Sequence, residues 1–255
     1  MYNLQIIYCL LILLPSLLVV PNVSRAEQLN AATADWSPFA MNGKNGELEG
    51  ISVDIFNEIM IRTQHRAALT LLPPKRLNRL FDQNKIDINF ADSPKWNPKE
   101  ADLKYTFSDP YTFVSEYIYF LKENYQIVDK PTDLTGKVLG INFGYYYEQF
   151  ETLFSQNIIR VSSSHSPLQL LLKLNRNKID AALFDDMSFN YLLDKEQLDK
   201  SKFKRGKKIT QAPLCLKLRI DRQYLLKAIN KVISNMQQDG TIKRIISSYS
   251  DTNAS

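Results

Sequence analysis

A segment that occurs twice constrains the fold of this chain more than any other feature. Asn84–Asp92 reads NKIDINFAD, and Asn177–Asp185 reads NKIDAALFD. Each copy follows a helical pattern and begins with Asn-Lys. This pair suits a helix end, because Asn tolerates the left-handed conformation and Lys favours the negative end of the helix dipole. Each copy then becomes an apolar strand that ends in Asp. The repeat predicts one helix–turn–strand junction, used once in each of two lobes.

Strand and helix patterns alternate around both copies. The first copy is preceded by QLNAATADW, ISVDIFNEIMIRTQ, AALTLLP and KRLNRLFDQN, and the second by KVLGINFG, YYYEQFETLFS, IIRVSSS and SPLQLLLKLNRN. In the last of these, Ser166 is the expected cap and Pro167 the first helical residue. Alternation of this kind predicts right-handed crossovers and mainly parallel sheets, in an α/β fold. Ligands bind beyond the carboxyl ends of parallel strands, so Asp92 and Asp185 are expected to face one cleft from opposite lobes.

The start of the chain has the pattern of a secretory signal. An apolar run from Ile6 to Val20 is followed by Ser24 and Ala26 at the small-residue positions of a cleavage site. Residues 1–26 are therefore predicted to be a signal peptide cleaved after Ala26, and the mature protein is expected to be exported. The alternative is an uncleaved anchor.

Composition and charge do not indicate a nucleic-acid, metal or cofactor partner. The net charge of +5 comes from dispersed basic residues, apart from KFKRGKK at Lys202–Lys208, which we interpret as a solvated loop, and no nucleic-acid partner is predicted. Cys215 is the only cysteine after the signal, and we expect it to be a small buried hydrophobe. His65 and His165 lack metal-ligand spacing and no phosphate-binding loop occurs, so neither a metal nor a cofactor is predicted.

Five segments, in this order, resemble the periplasmic solute-binding proteins of the polar amino acid type, extracellular solute-binding family 3. They are DWSPFAMNGKNGELEGISVDIFNEI at 35–59, FSDPY at 107–111, DLTGKVLGINFG at 133–144, KIDAALFDD at 178–186 and MQQDGTIKRIISSY at 236–249. The resemblance implies a two-lobed fold with mainly parallel sheets and two hinge strands. It assigns residues 27–117 plus 215–255 to lobe 1 and residues 118–214 to lobe 2. It also implies hinge closure around a ligand and delivery to a membrane permease.

The resemblance also implies roles for individual residues. Trp36 matches an aromatic residue that stacks on the ligand, and Asp185 matches the acid that holds an ammonium group. The family's carboxylate-binding arginine is replaced here by Ala101, its small hydroxyl residue by Tyr145, and its Ser-rich strand end by Ala91-Asp92. Recognition of a ligand carboxylate is therefore weakened and that of an ammonium kept, which predicts an amine-bearing ligand.

Each candidate also has a structural interpretation. Asp185 is either a cation anchor or a helix cap, and Asp92 rests on the repeat alone. Trp36, Trp96 and the Tyr145–Tyr147 tract either line the cleft or pack elsewhere. Arg76 is either a substitute for the missing arginine or a solvated helix residue. The predicted ligand-binding set is Trp36, Arg76, Asp92, Trp96, Tyr145 and Asp185.

Three functions are compatible with these patterns. The leading one is a monomeric, non-enzymatic binding protein that works with an inner-membrane permease or receptor. The second is an enzyme resembling cyclohexadienyl dehydratase, in which Asp92 and Asp185 act as acid and base after their pKa values diverge. The third is a soluble sensor that presents its ligand state to a membrane receptor.

Overall fold

The computed structural model describes residues 26–97 and 104–251. Nearly all of the predicted signal peptide, as well as Ala101, lies outside them. The strands are β1 (Gln28–Thr33), β2 (Met41–Asn42), β3 (Leu48–Glu49), β4 (Arg66–Leu71), β5 (Ile88–Asp92), β6 (Tyr105–Phe107), β7 (Thr112–Leu121), β8 (Val138–Asn142), β9 (Arg160–Ser164), β10 (Ala181–Asp185) and β11 (Phe203–Arg219). The helices are α1 (Ile51–Thr63), α2 (Pro74–Asp82), α3 (Glu151–Ser155), α4 (Pro167–Asn175), α5 (Asp186–Lys195), α6 (Leu226–Gln238) and α7 (Thr241–Asp251).

The main sheet runs through both lobes in the order β4-β1-β5-β11-β7-β10-β8-β9, with β6 beside β11. Strand β1 pairs in parallel with β4 and β5 in the first lobe, and β8 pairs in parallel with β9 and β10 in the second. The antiparallel pair β7 and β11 joins the two parallel halves. The α/β, two-lobed prediction is confirmed, and the carboxyl ends of both parallel halves meet at the cleft.

Strand β11 is the long connection between the lobes. Its residues Phe203 to Leu214 pair with β7, and its residues from Cys215 onward pair with β5. Register shifts interrupt the β7 pairing, and the shift between Lys208 and Thr210 lies opposite Glu116 and Tyr117. The prediction of a solvated loop at Lys202–Lys208 is wrong, because most of this run lies in β11. The side chains of this run are largely exposed, and its backbone pairs with β7.

Both lobes have their own apolar cores. In the first lobe, Ile55 and Ile59 of α1 are buried together with Ile229 and Ile233 of α6, so the carboxyl-terminal helices pack back on this lobe as expected. In the second lobe, residues of α4, α5 and α3 cover the two faces of the β7-β10-β8 strands. Burial of these faces supplies the main favourable term in folding. No helix among residues 26–97 and 104–251 is long and apolar enough to cross a membrane.

The two copies of the repeated segment form the same junction. Asn84 and Asn177 end their helical segments in the left-handed conformation, with φ of 58° and 54°. Three residues later, each copy has an Asp that holds the start of a neighbouring strand. Asp87 accepts the Asn30 N–H at 2.9 Å, and Asp180 accepts the Val138 N–H at 2.7 Å. The repeated segment therefore has a structural role in each lobe, where it aligns two adjacent parallel strands.

Candidate ligand-binding cleft

A cavity of about 270 Å³ lies between the lobes, beyond the carboxyl ends of the parallel strands. Among the side chains that line it, the first lobe contributes Thr33, Trp36, Asn89, Asp92, Trp96 and Asn97. The hinge strand β7 and the second lobe contribute Glu116, Asn142, Tyr145, Tyr147, Asp185 and Ser188. A volume of this order suits a small solute enclosed by both lobes.

Asp185 ends β10 and is the amino-terminal cap of α5. Its Oδ1 accepts the Ser188 N–H at 2.8 Å, so the capping role that we considered for this residue is present. Its Oδ2 accepts the Trp36 indole N–H at 2.8 Å. Burial raises the pKa of the Asp185 carboxyl, and the hydrogen bonds from Ser188 and Trp36 counteract that rise. Asp185 is therefore a partly satisfied carboxylate that faces the cavity.

Trp36 joins the two lobes directly through that hydrogen bond. Its ring packs against Phe39 at 4.2 Å between centroids and meets Trp96 edge-on at 5.6 Å. At the rim, Lys75 Nζ of the first lobe lies 4.3 Å from the centre of the Phe143 ring of the second. The lobes are therefore in contact across the cleft, and the structure represents a closed arrangement.

Gly144 permits the closest approach at the rim. Its φ is +84°, and a Cβ placed there would lie 3.3 Å from both Lys75 Cγ and Pro74 Cβ on the opposite lobe. A side chain at this position would be strained in its own backbone and crowded by α2.

Asp92 reaches the same cavity, but its surroundings differ from those of Asp185. It accepts hydrogen bonds from Asn89 Nδ2 at 3.0 Å, Ser93 N at 2.7 Å and Asn97 Nδ2 at 3.0 Å. The Lys217 Nζ lies 3.5 Å from Asp92 Oδ2, and only 4% of the Lys217 side chain is exposed. Burial raises the pKa of Asp92, and the Lys217 charge is the largest opposing influence. Asp92 and Asp185 therefore both reach the cavity, but Asp92 has a buried cation beside it.

Lys217 is held from several sides. Its Nζ donates to Asn97 Oδ1 at 2.7 Å and lies 4.1 Å from the centre of the Tyr105 ring and 5.2 Å from that of Phe81. These contacts keep the ammonium behind Asp92 and outside the cavity lining.

Glu116 is a further carboxylate in the cleft. It lies on β7, directly opposite Asp185 of β10 in the antiparallel ladder. Burial and the neighbouring charge of Asp185 raise the pKa of Glu116 to about 7, and the Trp96 indole partly offsets that rise. Directly opposite residues share one face of a sheet, so two acidic groups lie close together in the cleft.

Trp96 and Tyr145 both line the cavity, as predicted from the sequence. The indole nitrogen of Trp96 is buried and makes no hydrogen bond of ordinary geometry with any described residue. Burial raises the pKa of the Tyr145 hydroxyl, and the carboxylates of Asp185, Asp35, Glu116 and Asp92 raise it further. Tyr145 therefore lies among all the acidic groups of the cleft and stays a neutral hydroxyl.

Arg76 does not belong with the other candidates. It is exposed on α2, whereas Pro74, Leu77 and Asn78 of the same helix line the cavity. The hypothesis that Arg76 replaces the missing arginine is not supported by this placement, because Arg76 is exposed and is not among the residues that line the cavity. Within the described ranges, the charged residues that line the cavity are Asp92, Glu116 and Asp185, and none is basic.

No role was predicted from the sequence for Glu116 or for Lys217. Glu116 is the one charged residue of β7, and Lys217 is the one charged residue in the stretch APLCLKL of β11. A charge within such a strand indicates a buried partner or a cavity, because an unpaired buried charge is costly. That signal was present in both strands.

Known proteins resemble the chain along most of its length. The model of the bacterial extracellular solute-binding proteins, family 3, matches residues 29–252. An L-cystine-binding protein (TcyJ) of Escherichia coli K12 is 26% identical over 213 residues, which are 82% of this chain and 77% of the relative. A histidine-binding periplasmic protein of Salmonella typhimurium LT2 is 22% identical over 223 residues, 85% of this chain and 84% of the relative.

Solved structures agree with this assignment. The crystal structure of an arginine 3rd transport system periplasmic binding protein from Legionella pneumophila superposes with a TM-score of 0.71 at 25% identity. The superposition covers 88% of this chain and 100% of the Legionella chain. The family model alone spans well over half of the sequence, and the fold and the cleft agree with it. The chain therefore belongs to the bacterial extracellular solute-binding proteins, family 3.

Proposed function

We propose that the protein closes its lobes around a small amine-bearing solute and delivers it to an ABC-type permease. The observation that carries this proposal is the interlobe cavity, in which every charged lining residue of the described chain is a carboxylate. Such a lining favours a positively charged group over an anion. The names of the relatives, which concern cystine binding, histidine binding and arginine transport, point to the same class of small nitrogenous solutes.

The cleft residues have separate roles in this proposal. Asp185 accepts the ammonium group of the solute, and the aromatic rings of Trp36 and Trp96 form the apolar walls. Tyr145 offers a neutral hydroxyl among the carboxylates. Asp92 contributes polar contacts more than charge, because the nearby Lys217 ammonium already balances it.

The cellular setting belongs to the same proposal. Export through a signal peptide cleaved after Ala26 would place the monomeric protein in the periplasm, where the named histidine-binding relative works. Lobe boundaries at 117/118 and 214/215 fit a hinge in β7 and β11, since β11 changes its pairing partner between Leu214 and Cys215.

A dehydratase-like enzyme and a soluble sensor are the other functions compatible with the sequence. The dehydratase hypothesis needs Asp92 and Asp185 as acid and base, but Asp92 is bound to Asn89, Ser93, Asn97 and Lys217. A carboxylate held in this way is poorly placed to exchange protons with a substrate. A sensor would use the same cleft and differ only in its membrane partner.

Binding is expected to compact and stabilise the protein. The screen uses histidine, arginine, cystine, glutamate, 1,4-diaminobutane and prephenate. We expect at least one amine-bearing compound, at a hundred times its Kd, to raise the Tm by roughly 5 °C or more. The same compound should reduce the radius of gyration in X-ray scattering. A tight ligand that leaves the scattering profile unchanged would exclude the hinge mechanism, and consumption of prephenate would establish an enzyme.

Removing the charge of Asp185 is expected to weaken binding strongly. Asp185→Asn keeps the size of the side chain but loses the anion that faces the solute, which should raise the Kd by about thirtyfold or more. Calorimetry with the tightest amine-bearing ligand measures the change. Asp199→Asn is the matched control, since Asp199 is also a helix-capping carboxylate but is exposed and far from the cleft. Equal affinity in Asp185→Asn and Asp199→Asn would exclude Asp185 as an anchor.

A further inference from the structure

Glu116 is the least satisfied anion of the cleft. Asp185 accepts hydrogen bonds from two N–H groups. Asp92 accepts hydrogen bonds from three N–H groups and also forms an ion pair with Lys217. For Glu116, the Trp96 indole is the only described side chain that favours the ionised carboxylate. Its strand neighbours bring no compensation, since Asp185 adjoins it on β10 and Thr210 on β11. Glu116 is therefore an acidic group that lines the cavity with unused hydrogen-bonding capacity.

One further polar group near this carboxylate pair lacks a partner. Asn142 ends β8, on the far side of β10 from Glu116, and its Oδ1 is buried without a donor among the described residues. Asn142 lines the cavity. Buried polar atoms are nearly always paired in native proteins, so unpaired ones in a cavity wall indicate where a solute donates hydrogen bonds.

The charges of the cleft do not balance. Lys217 lies beside Asp92, which leaves Asp185 and Glu116 without a cation among the described side chains. A solute with one ammonium would neutralise one of them, and a solute with an additional carboxylate would bring a third negative charge into a low-dielectric space.

We propose that Glu116 is a second cation-binding residue, so that the cleft selects a solute with two positive groups and no carboxylate, such as a diamine or a guanidino-amine. This inference rests on the proposed binding function and specifies its ligand class. Asp185 holds one cationic group. Glu116 holds the other, and Asn142 Oδ1 accepts a remaining N–H. The solute then removes the repulsion between the two carboxylates, so closure of the lobes depends on both of its charges.

Three probes that share one carbon chain test this selectivity. 1,4-Diaminobutane carries two ammonium groups, butylamine carries one, and ornithine adds a carboxylate to the diamine. Calorimetry at pH 8, where Glu116 with its pKa of about 7 is ionised, should give the lowest Kd for 1,4-diaminobutane. Agmatine and arginine form a second pair that differs only in the carboxylate, and agmatine should bind more tightly.

Glu116→Gln is the decisive variant, because it removes the charge and keeps the shape. It should raise the Kd of 1,4-diaminobutane by about tenfold to a hundredfold and change that of butylamine by less than about threefold. Glu123→Gln is the matched control, since Glu123 is exposed and its change alters the net charge equally. It should bind all probes like the wild type.

The outcomes separate this inference from the proposed function. Tighter binding of ornithine or arginine than of their decarboxylated partners would overturn the inference and leave an amine-binding protein. Unchanged diamine affinity in Glu116→Gln would also overturn it. If none of the five probes binds, a tight ligand with a single positive group or with a carboxylate would overturn it as well. Failure of every amine to bind or compact the wild type would overturn the proposed function as well. If Glu116→Gln does not fold, the order of wild-type affinities decides.

Discussion

Replacing Lys217 by methionine is expected to lower the free energy of unfolding by about 3–5 kcal/mol. Methionine has a similar length, so the change leaves little space unfilled but removes the ammonium that lies 3.5 Å from Asp92 Oδ2. It also removes the 2.7 Å hydrogen bond to Asn97 Oδ1 and the contact with the Tyr105 ring. Asp92 is then a buried carboxylate without a cation. Urea unfolding at pH 8 measures the loss.

A second variant separates the charge effect from the packing effect. In Lys217→Met with Asp92→Asn, no unpaired charge remains, and most of the lost stability should return. Lys122→Met is the control for the chemical change, because Lys122 is exposed. It should unfold within about 0.5 kcal/mol of the wild type. A loss below 1 kcal/mol in Lys217→Met would show that Asp92 does not depend on this lysine.

The stability of the ligand-free protein is expected to fall as the pH rises through neutrality. The pKa of Glu116 is raised in the folded protein to about 7 from its ordinary value of 4.5, so the folded state binds this proton more tightly than the unfolded state. The resulting stabilisation is fully present below pH 4.5 and is lost as the pH rises through 7. At about 1.4 kcal/mol per unit, the loss from this group amounts to at most about 3 kcal/mol.

Glu116→Gln should remove this dependence, because the amide does not titrate. Urea unfolding at pH 5, 6, 7 and 8 should give a steep decline in the wild type and a flatter curve in the variant, which is then the more stable protein at pH 8. Burial also raises the pKa values of Asp92 and Asp185, so part of the decline should remain in the variant. Parallel curves for the two proteins would show that Glu116 titrates normally.

Local sequence patterns predicted the lobes and the strand ends well. The Asn-Lys helix ends, the Ser166 cap and the strands that end in Asp92 and Asp185 all form as expected, because these features depend on neighbours within a few residues. Helical spacing was misleading in YYYEQFETLFS, where α3 begins only at Glu151. Gly144 has a left-handed backbone conformation, and the chain turns there. The tyrosines that follow, Tyr145–Tyr147, line the cleft, and Tyr145 and Tyr147 also pack in the core of the second lobe.

The electrostatics of the site could not be predicted from local patterns. The pairing of Lys217 with Asp92 depends on the register between β11 and β5, which are separated by the whole second lobe. The proximity of Glu116 to Asp185 depends likewise on the β7–β10 register. The repeat predicts a carboxylate at each of two strand ends, whereas non-local pairing brings a cation to Asp92 and a second anion to Asp185. Residue types and strand ends were therefore predictable, and the balance of charge was not.

The partner exchange along β11 also determines the order in which the molecule can fold. Strand β5 stays an unpaired edge until β11, which follows the entire second lobe, reaches Cys215 and pairs with it. In the same way, β7 lacks its β11 partner until the chain from Phe203 onward is available. One late strand therefore completes both sheets, and contacts of such long sequence separation slow folding. A growing chain that lacks β11 exposes open sheet edges, which are sites of aggregation. Neither lobe is therefore expected to reach its native state before nearly the whole chain is available.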